Sequence, residues 1–174
     1  MRNLLLFIVV VGTLSFTLSK EVSKNTEKSN ITSGKISPDF SFKDFNDKKT
    51  TLNDFKGKYV YIDIWATWCE PCKDELLPLQ DLNKLFKNNI EFVSISVDYL
   101  RDIKQWKEFI STNELTGTQL IADNNWYSDF IRSYKITTIP RFILIDPQGK
   151  IVDAYAPRPS HKKLKTLFKK LNIN

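Results

Sequence analysis

The chain has 174 residues, enough for one ordinary domain and short for two. Hydrophobic residues make up 41% and charged residues 26%, with 7 Pro, 5 Gly and only 2 Cys, which excludes collagen-like, mucin-like, wholly disordered and disulfide-dense classes. The net charge is +6, but residues 161–174 hold five lysines and no acid, so the rest of the chain is close to neutral.

Arg2 and the amino terminus precede an uncharged run, residues 4–18 (LLLFIVVVGTLSFTL). As a helix rising ~1.5 Å per residue it reaches about 22 Å, short of the ~30 Å apolar core of a bilayer. Charge, apolar stretch and then polar residues form an export-signal pattern. Residues 1–19 are therefore expected to be a cleaved signal peptide, or a retained membrane anchor, because Leu18-Ser19-Lys20 makes a mediocre cleavage site. Either case places the remainder in an extracytoplasmic (periplasmic) space, where disulfide chemistry is permitted. Residues 20–35 are polar and read as a flexible leader; residues 36–174 are patterned as one domain.

Phe40, Phe42 and Phe45 mark a short strand, Asn46-Asp47-Lys48-Lys49 a turn, and residues 50–55 the return. YVYIDIW at 59–65, rich in aromatic and β-branched residues, predicts a central strand. Leu76, Leu79, Leu82, Leu85 and Phe86 have helical spacing, so a helix is predicted over 69–86, with Pro71 in its first turn and a kink at Pro78. Further strands are predicted at 90–97, 119–121 and 141–145, the last followed by a turn at 146–149 and a hairpin partner at 150–154. Helices are predicted after an Asp102 cap, over 126–134, and after a Ser160 cap, the last burying Leu164, Leu167, Phe168 and Leu171. A central mixed sheet with helices on both faces follows.

Both cysteines stand in Cys69-Glu70-Pro71-Cys72, at i and i+3 of a predicted helix start, within reach of a disulfide. A cysteine at a helix amino terminus has its thiolate stabilised by free N–H groups and the dipole. The second can resolve a mixed disulfide. Competing readings are weaker. Zinc needs two more ligands, and His161 is the only histidine; haem attachment needs His where Lys73 stands. A purely structural disulfide over so small a loop stabilises little.

VYIDIWATWCEPCK at 60–73 resembles the active-site stretch of the thioredoxin superfamily. SPDF at 37–40, Glu70 between the cysteines and ITTIPRFILIDPQGKIV at 136–152 resemble, within it, the exported TlpA-like thiol-disulfide oxidoreductases. The similarity spans about residues 36–171. It implies a thioredoxin-like α/β fold, with a central mixed β-sheet flanked by helices and an amino-terminal β-hairpin extension. It implies that Cys69 is the exposed nucleophile, Cys72 the resolving thiol, Trp68 the aromatic residue flanking the nucleophile, and Ile139-Pro140 a cis-proline turn that docks extended substrate. Asp63 matches the buried acid that assists proton transfer at the resolving cysteine. Its place inside an apolar strand would raise its pKa, which suits that role. Glu70, a charge beside the nucleophile, would raise a thiol pKa and tune the couple.

The implied reaction reduces disulfides of exported proteins such as apocytochrome c. It needs no metal or organic cofactor and implies a membrane-embedded electron donor protein. A disulfide oxidase or isomerase, a non-catalytic exported binding module with a fixed disulfide, and a peroxidase are the alternatives. Trp106 and Phe109 read as core-facing, while Trp126 and Tyr127 are candidates for the groove border. The lysine-rich last helix reads as a solvated face, with no nucleic-acid motif behind it.

Overall fold

A computed structural model describes residues 33–173. The apolar run at 4–18 and most of the leader lie outside the described residues. Among the described residues no helix is long and apolar enough to cross a membrane.

The strands are β1 (Ser41–Asp44), β2 (Lys49–Thr51), β3 (Tyr59–Trp65), β4 (Ile90–Ser96), β5 (Thr118–Ile121), β6 (Arg141–Ile145) and β7 (Ile151–Asp153). The α-helices are α1 (Glu70–Lys73), α2 (Leu76–Phe86), α3 (Ile103–Thr112), α4 (Asp129–Ser133) and α5 (Lys162–Lys170). The sheet runs β2-β1-β5-β4-β3-β6-β7. β3–β4 and β4–β5 are parallel; the β1–β2, β1–β5, β3–β6 and β6–β7 pairs are antiparallel. The fold is thioredoxin-like, with the amino-terminal hairpin β1–β2 on one edge.

Strand alternation builds two cores. Val60, Ile62 and Ile64 of β3, Val93 and Ile95 of β4, and Ile143 and Ile145 of β6 meet Trp106 and Ile110 of α3 and Phe130 and Ile131 of α4. Tyr61, Phe92, Phe142 and Leu144 meet Leu79 and Leu82 of α2 and Leu164 and Phe168 of α5 on the other face. Trp106 is core-facing, as its spacing predicted, and Phe109 packs against Trp65 at a tilt, with ring centroids 5.5 Å apart and an interplanar angle of 46°.

Several local expectations differ. The predicted 69–86 helix is two helices, broken at Asp74-Glu75 rather than kinked at Pro78. A proline ring clashes with the carbonyl four residues earlier, here that of Asp74, so the break lies upstream and Pro78 falls in the first turn of α2. Residues 126–134 form a 3-10 turn at Asn125–Tyr127 and then α4, separated by Ser128 in an extended conformation. Asp102 is the amino-terminal cap position of α3 but makes no side-chain cap bond. The cap of α5 is His161, whose Nδ1 accepts from the Lys163 N–H at 3.1 Å. Ser160 is engaged elsewhere. Ser33 and Gly34 bond to the carbonyls of Val152 and Ile151, so the end of the leader packs on β7.

Candidate active site

β3 delivers the chain into a loop pinned by one buried acid. The Asp98 carboxylate accepts the Thr67 N–H and Thr67 Oγ1–H, both at 2.9 Å, and the Ser96 hydroxyl at 2.6 Å. Thr67 is two residues before Cys69, so this network fixes the approach to the cysteines. Cys69 then caps α1 in an extended conformation, and its carbonyl accepts the N–H groups of Cys72 (3.1 Å) and Lys73 (3.2 Å).

Cys69 and Cys72 are joined by a disulfide, with Cα atoms 5.3 Å apart. Cys69 is only 4% exposed in this oxidised form, against the exposed nucleophile that the resemblance implied. Both sulfur-bearing side chains join the first core, and the exposed group beside them is Trp68, at 56%. Because α1 is a single turn, its dipole acts on Cys69 only through that turn, which is where such effects concentrate.

The Ile139–Pro140 peptide bond is cis. The β3–β6 register sets Arg141 opposite Ile64, so Ile139 and Pro140 enter the sheet beside the end of β3 that leads to Cys69. Both are half-buried, and Ile139 packs against the first core. Trp126 and Tyr127 line a shallow cavity with Ile136 and Thr137, just ahead of that turn.

Asp63 is buried in mid-β3, and its Oδ1 has no hydrogen-bond partner among the described residues. Loss of water, then the nearby Glu75 charge, pushes its carboxyl from 3.8 up to about 8. At neutral pH Asp63 is protonated in the oxidised protein. Glu75, also buried, lies three residues after Cys72 in the break between α1 and α2, and its N–H donates to the Cys72 carbonyl at 3.0 Å. Its carboxylate accepts the Ser160 N–H and hydroxyl, each at 2.9 Å. The exposed Glu70 pairs with Lys73 at 2.7 Å, a solvent-screened contact that partly offsets its charge beside Cys69.

Trp68, Cys69, Glu70 and Cys72 thus follow the end of β3, Asp63 stands in the middle of that strand, and Ile139 and Pro140 precede β6, its antiparallel neighbour. Glu75 and Asp98 were missed by sequence reasoning. An acid near a helix start reads as an ordinary first-turn residue, and nothing in the spacing points to Ser160 or Thr67 as partners. Among the described residues, no group of three or more His, Cys, Asp or Glu is placed to hold a metal ion.

A sequence model of the AhpC/TSA family matches residues 33–154. The chain belongs to that family. Thiol-disulfide oxidoreductase ResA of Bacillus cereus is 31% identical to it over 98% of both chains. Thioredoxin-like protein YneN of Bacillus subtilis is 30% identical over 92% of this chain and 91% of its own. Among solved structures, the thioredoxin domain of a thiol-disulfide oxidoreductase from Bacteroides vulgatus superposes with a TM-score of 0.72 at 30% identity, over 82% of this chain and 99% of that one. A thiol-disulfide oxidoreductase from Bacteroides fragilis gives 0.70 at 28% identity, over 79% and 99%. With its Cys69–Cys72 disulfide and its similarity to these relatives, the AhpC/TSA-family chain is a thiol-disulfide oxidoreductase.

Proposed function

We propose that this oxidoreductase reduces disulfides in exported proteins, with apocytochrome c awaiting haem attachment as the substrate class. Its compartment is extracytoplasmic, reached through residues 1–19 as a signal or anchor. The observation that carries the reading is the Cys69–Cys72 disulfide on the opening turn of a helix, in a chain similar to ResA over nearly its whole length.

In the reductive half-reaction the Cys69 thiolate attacks a substrate sulfur, forming a mixed disulfide and releasing the substrate's other sulfur as a thiolate that takes up a proton. Cys72 loses its proton and attacks the Cys69 sulfur. The substrate leaves as a dithiol, and the two electrons come from the two enzyme sulfurs. Asp63, as carboxylate, takes the Cys72 proton directly or through one water. In the return half-reaction a thiolate of a membrane-embedded donor attacks Cys69, breaking the 69–72 disulfide and forming a donor–Cys69 mixed disulfide. The donor's second thiolate then attacks the donor sulfur, closing the donor disulfide and freeing the Cys69 thiolate. The neutral Asp63 of the oxidised protein then supplies the proton for the departing Cys72 thiolate. Trp68, Ile139 and Pro140 flank the substrate segment, and Glu70 tunes the Cys69 thiol. No metal or organic cofactor enters this sequence.

Equilibration with a reference dithiol tests the direction. The couple is expected toward the ~−270 mV of thioredoxin; a value near ~−120 mV would make the protein an oxidase.

A further inference from the structure

Just ahead of the cis-proline turn, a shallow cavity of about 670 Å³ is lined by Trp126, Tyr127, Arg132, Lys135, Ile136 and Thr137. Disulfide exchange at the cysteines leaves Arg132 and Lys135 without a task. Trp126 and Ile139 pack against the same core, which therefore supports both the cavity wall and the turn. Three Cα–Cα steps separate Thr137 from Pro140, so the edge of the cavity lies within ~11 Å of the turn. Asn125 Oδ1 accepts the Trp126 N–H at 2.7 Å and holds that residue at the cavity's entry.

The polar and aromatic groups of the lining have no partners within the described chain. Arg132 and Lys135 are exposed, and neither side chain makes an ion pair or a hydrogen bond among the described residues. Tyr127 is 68% exposed, and neither its ring nor that of Trp126 meets another ring or a cation there. The nearby acids Asp123 and Asp129 line a different hollow, together with Asp39. Two cations and two aromatic rings thus face solvent with no carboxylate in the same lining.

Lys135 stands there against local preference. At the end of α4 the Lys135 N–H donates to the Arg132 carbonyl at 2.9 Å and the Ile136 N–H to the Ile131 carbonyl at 3.1 Å. This pair of bonds puts Lys135 in the left-handed position that glycine usually fills, at φ +51°. A side chain there strains the backbone, and this one adds a cation to the cavity.

We propose that the cavity is a subsite of the substrate groove for an acidic polypeptide segment. Arg132 and Lys135 pair with carboxylates carried a few residues from the substrate's cysteine, and Trp126 and Tyr127 pack their apolar neighbours. This rests on the reading that the protein reduces disulfides of exported polypeptides docked along Ile139-Pro140. Charges at the rim of an interface act on encounter rate and partner choice, which suits selection among disulfides of similar chemistry.

Single-turnover reduction of looped peptide disulfides by the reduced full chain tests the subsite. The peptides are identical except for Glu, Gln or Lys at the positions flanking the loop. Each rate is divided by the rate with dithiothreitol, which removes the peptide's own reactivity. The Glu peptide should react about tenfold faster than the Lys peptide, with Gln between, and the ratio should shrink at ~0.5 M salt. Arg132→Gln combined with Lys135→Gln should abolish the ratio. Lys163→Gln combined with Lys170→Gln, which removes the same charge from the exposed face of α5, should leave it unchanged. Lys135→Gly should lose part of the ratio without loss of stability in urea, because glycine fits the left-handed position. Equal rates for the three peptides, or a ratio that survives Arg132→Gln with Lys135→Gln, would overturn the inference. Failure of the reductase reading looks different: no peptide is converted to dithiol. Binding is then read alone, from amide NMR shifts of the oxidised full chain with a Glu peptide whose cysteines are replaced by serines. Shifts centred on Trp126, Arg132 and Lys135 support the subsite, and their absence overturns it.

Discussion

Replacing Asp63 by Asn should stabilise the oxidised protein by an amount that grows with pH. Unfolded, this carboxyl ionises near 3.8; folded, burial and the Glu75 charge hold its proton to about 8. Between those values the native state binds more protons than the unfolded one, so stability falls as pH rises and the loss is complete above about 8. At about 1.4 kcal/mol per pH unit, the full interval corresponds to roughly 6 kcal/mol, an upper figure that relaxation around the site reduces. A third of it, about 2 kcal/mol, is easily read in an unfolding curve. The substituted amide cannot ionise, and any cost of burying its extra donor is the same at every pH. The readout is therefore the slope of the difference between variant and wild type. Urea unfolding followed by tryptophan fluorescence, without reductant, from pH 4.5 to 8.5, supplies it. The account predicts a difference that rises in favour of Asp63→Asn across this window. A flat difference would mean that Asp63 ionises like an exposed carboxyl, and would remove it as a proton carrier.

Other expected outcomes follow from single contacts. Asp98→Ala strands the buried Thr67 N–H and should cost about 2–4 kcal/mol in urea unfolding, with slower reduction of a protein disulfide because the loop before Cys69 loses its anchor. Gly117→Ala should cost about 2–3 kcal/mol in the same assay. Gly117 has φ +81°, and a Cβ there would meet the Phe92 carbonyl oxygen at 2.7 Å. With dithiothreitol as electron source, the protein should consume hydrogen peroxide no faster than a Cys69→Ser variant. Sustained Cys69-dependent peroxide consumption would move it among peroxidases.

Much of the fold was legible because its signals are local. YVYIDIW at 59–65 forms β3 over its full length, and the leucine spacing found Leu79 and Leu82 on the buried face of α2, while Leu85 of the same set is exposed. What escaped depended on distance. The break at Asp74-Glu75 is the effect of a proline four residues later. His161 caps α5 because Ser160 is taken by Glu75, 85 residues away in sequence. The cysteines announced themselves by type and spacing, whereas the cis-proline was expected only from the resemblance to the thioredoxin superfamily. Glu75 and Asp98 did not, since their roles come from partners 85 and 31 residues away, brought together only by the fold. Asp63 was readable for the opposite reason, because an acid inside an apolar strand is conspicuous wherever the chain goes.

The central claim is that Cys69 attacks and Cys72 resolves. Mixing the reduced Cys72→Ala variant with a peptide disulfide bearing two cysteines, and locating the adduct by mass spectrometry of proteolytic fragments, tests it most directly. The account predicts a one-to-one adduct on Cys69, cleaved by dithiothreitol. It also predicts no adduct in the Cys69→Ala, Cys72→Ala double variant, and full conversion of the peptide to dithiol by the wild type. Absence of any adduct on Cys69, with the peptide left oxidised by the wild type as well, would contradict it.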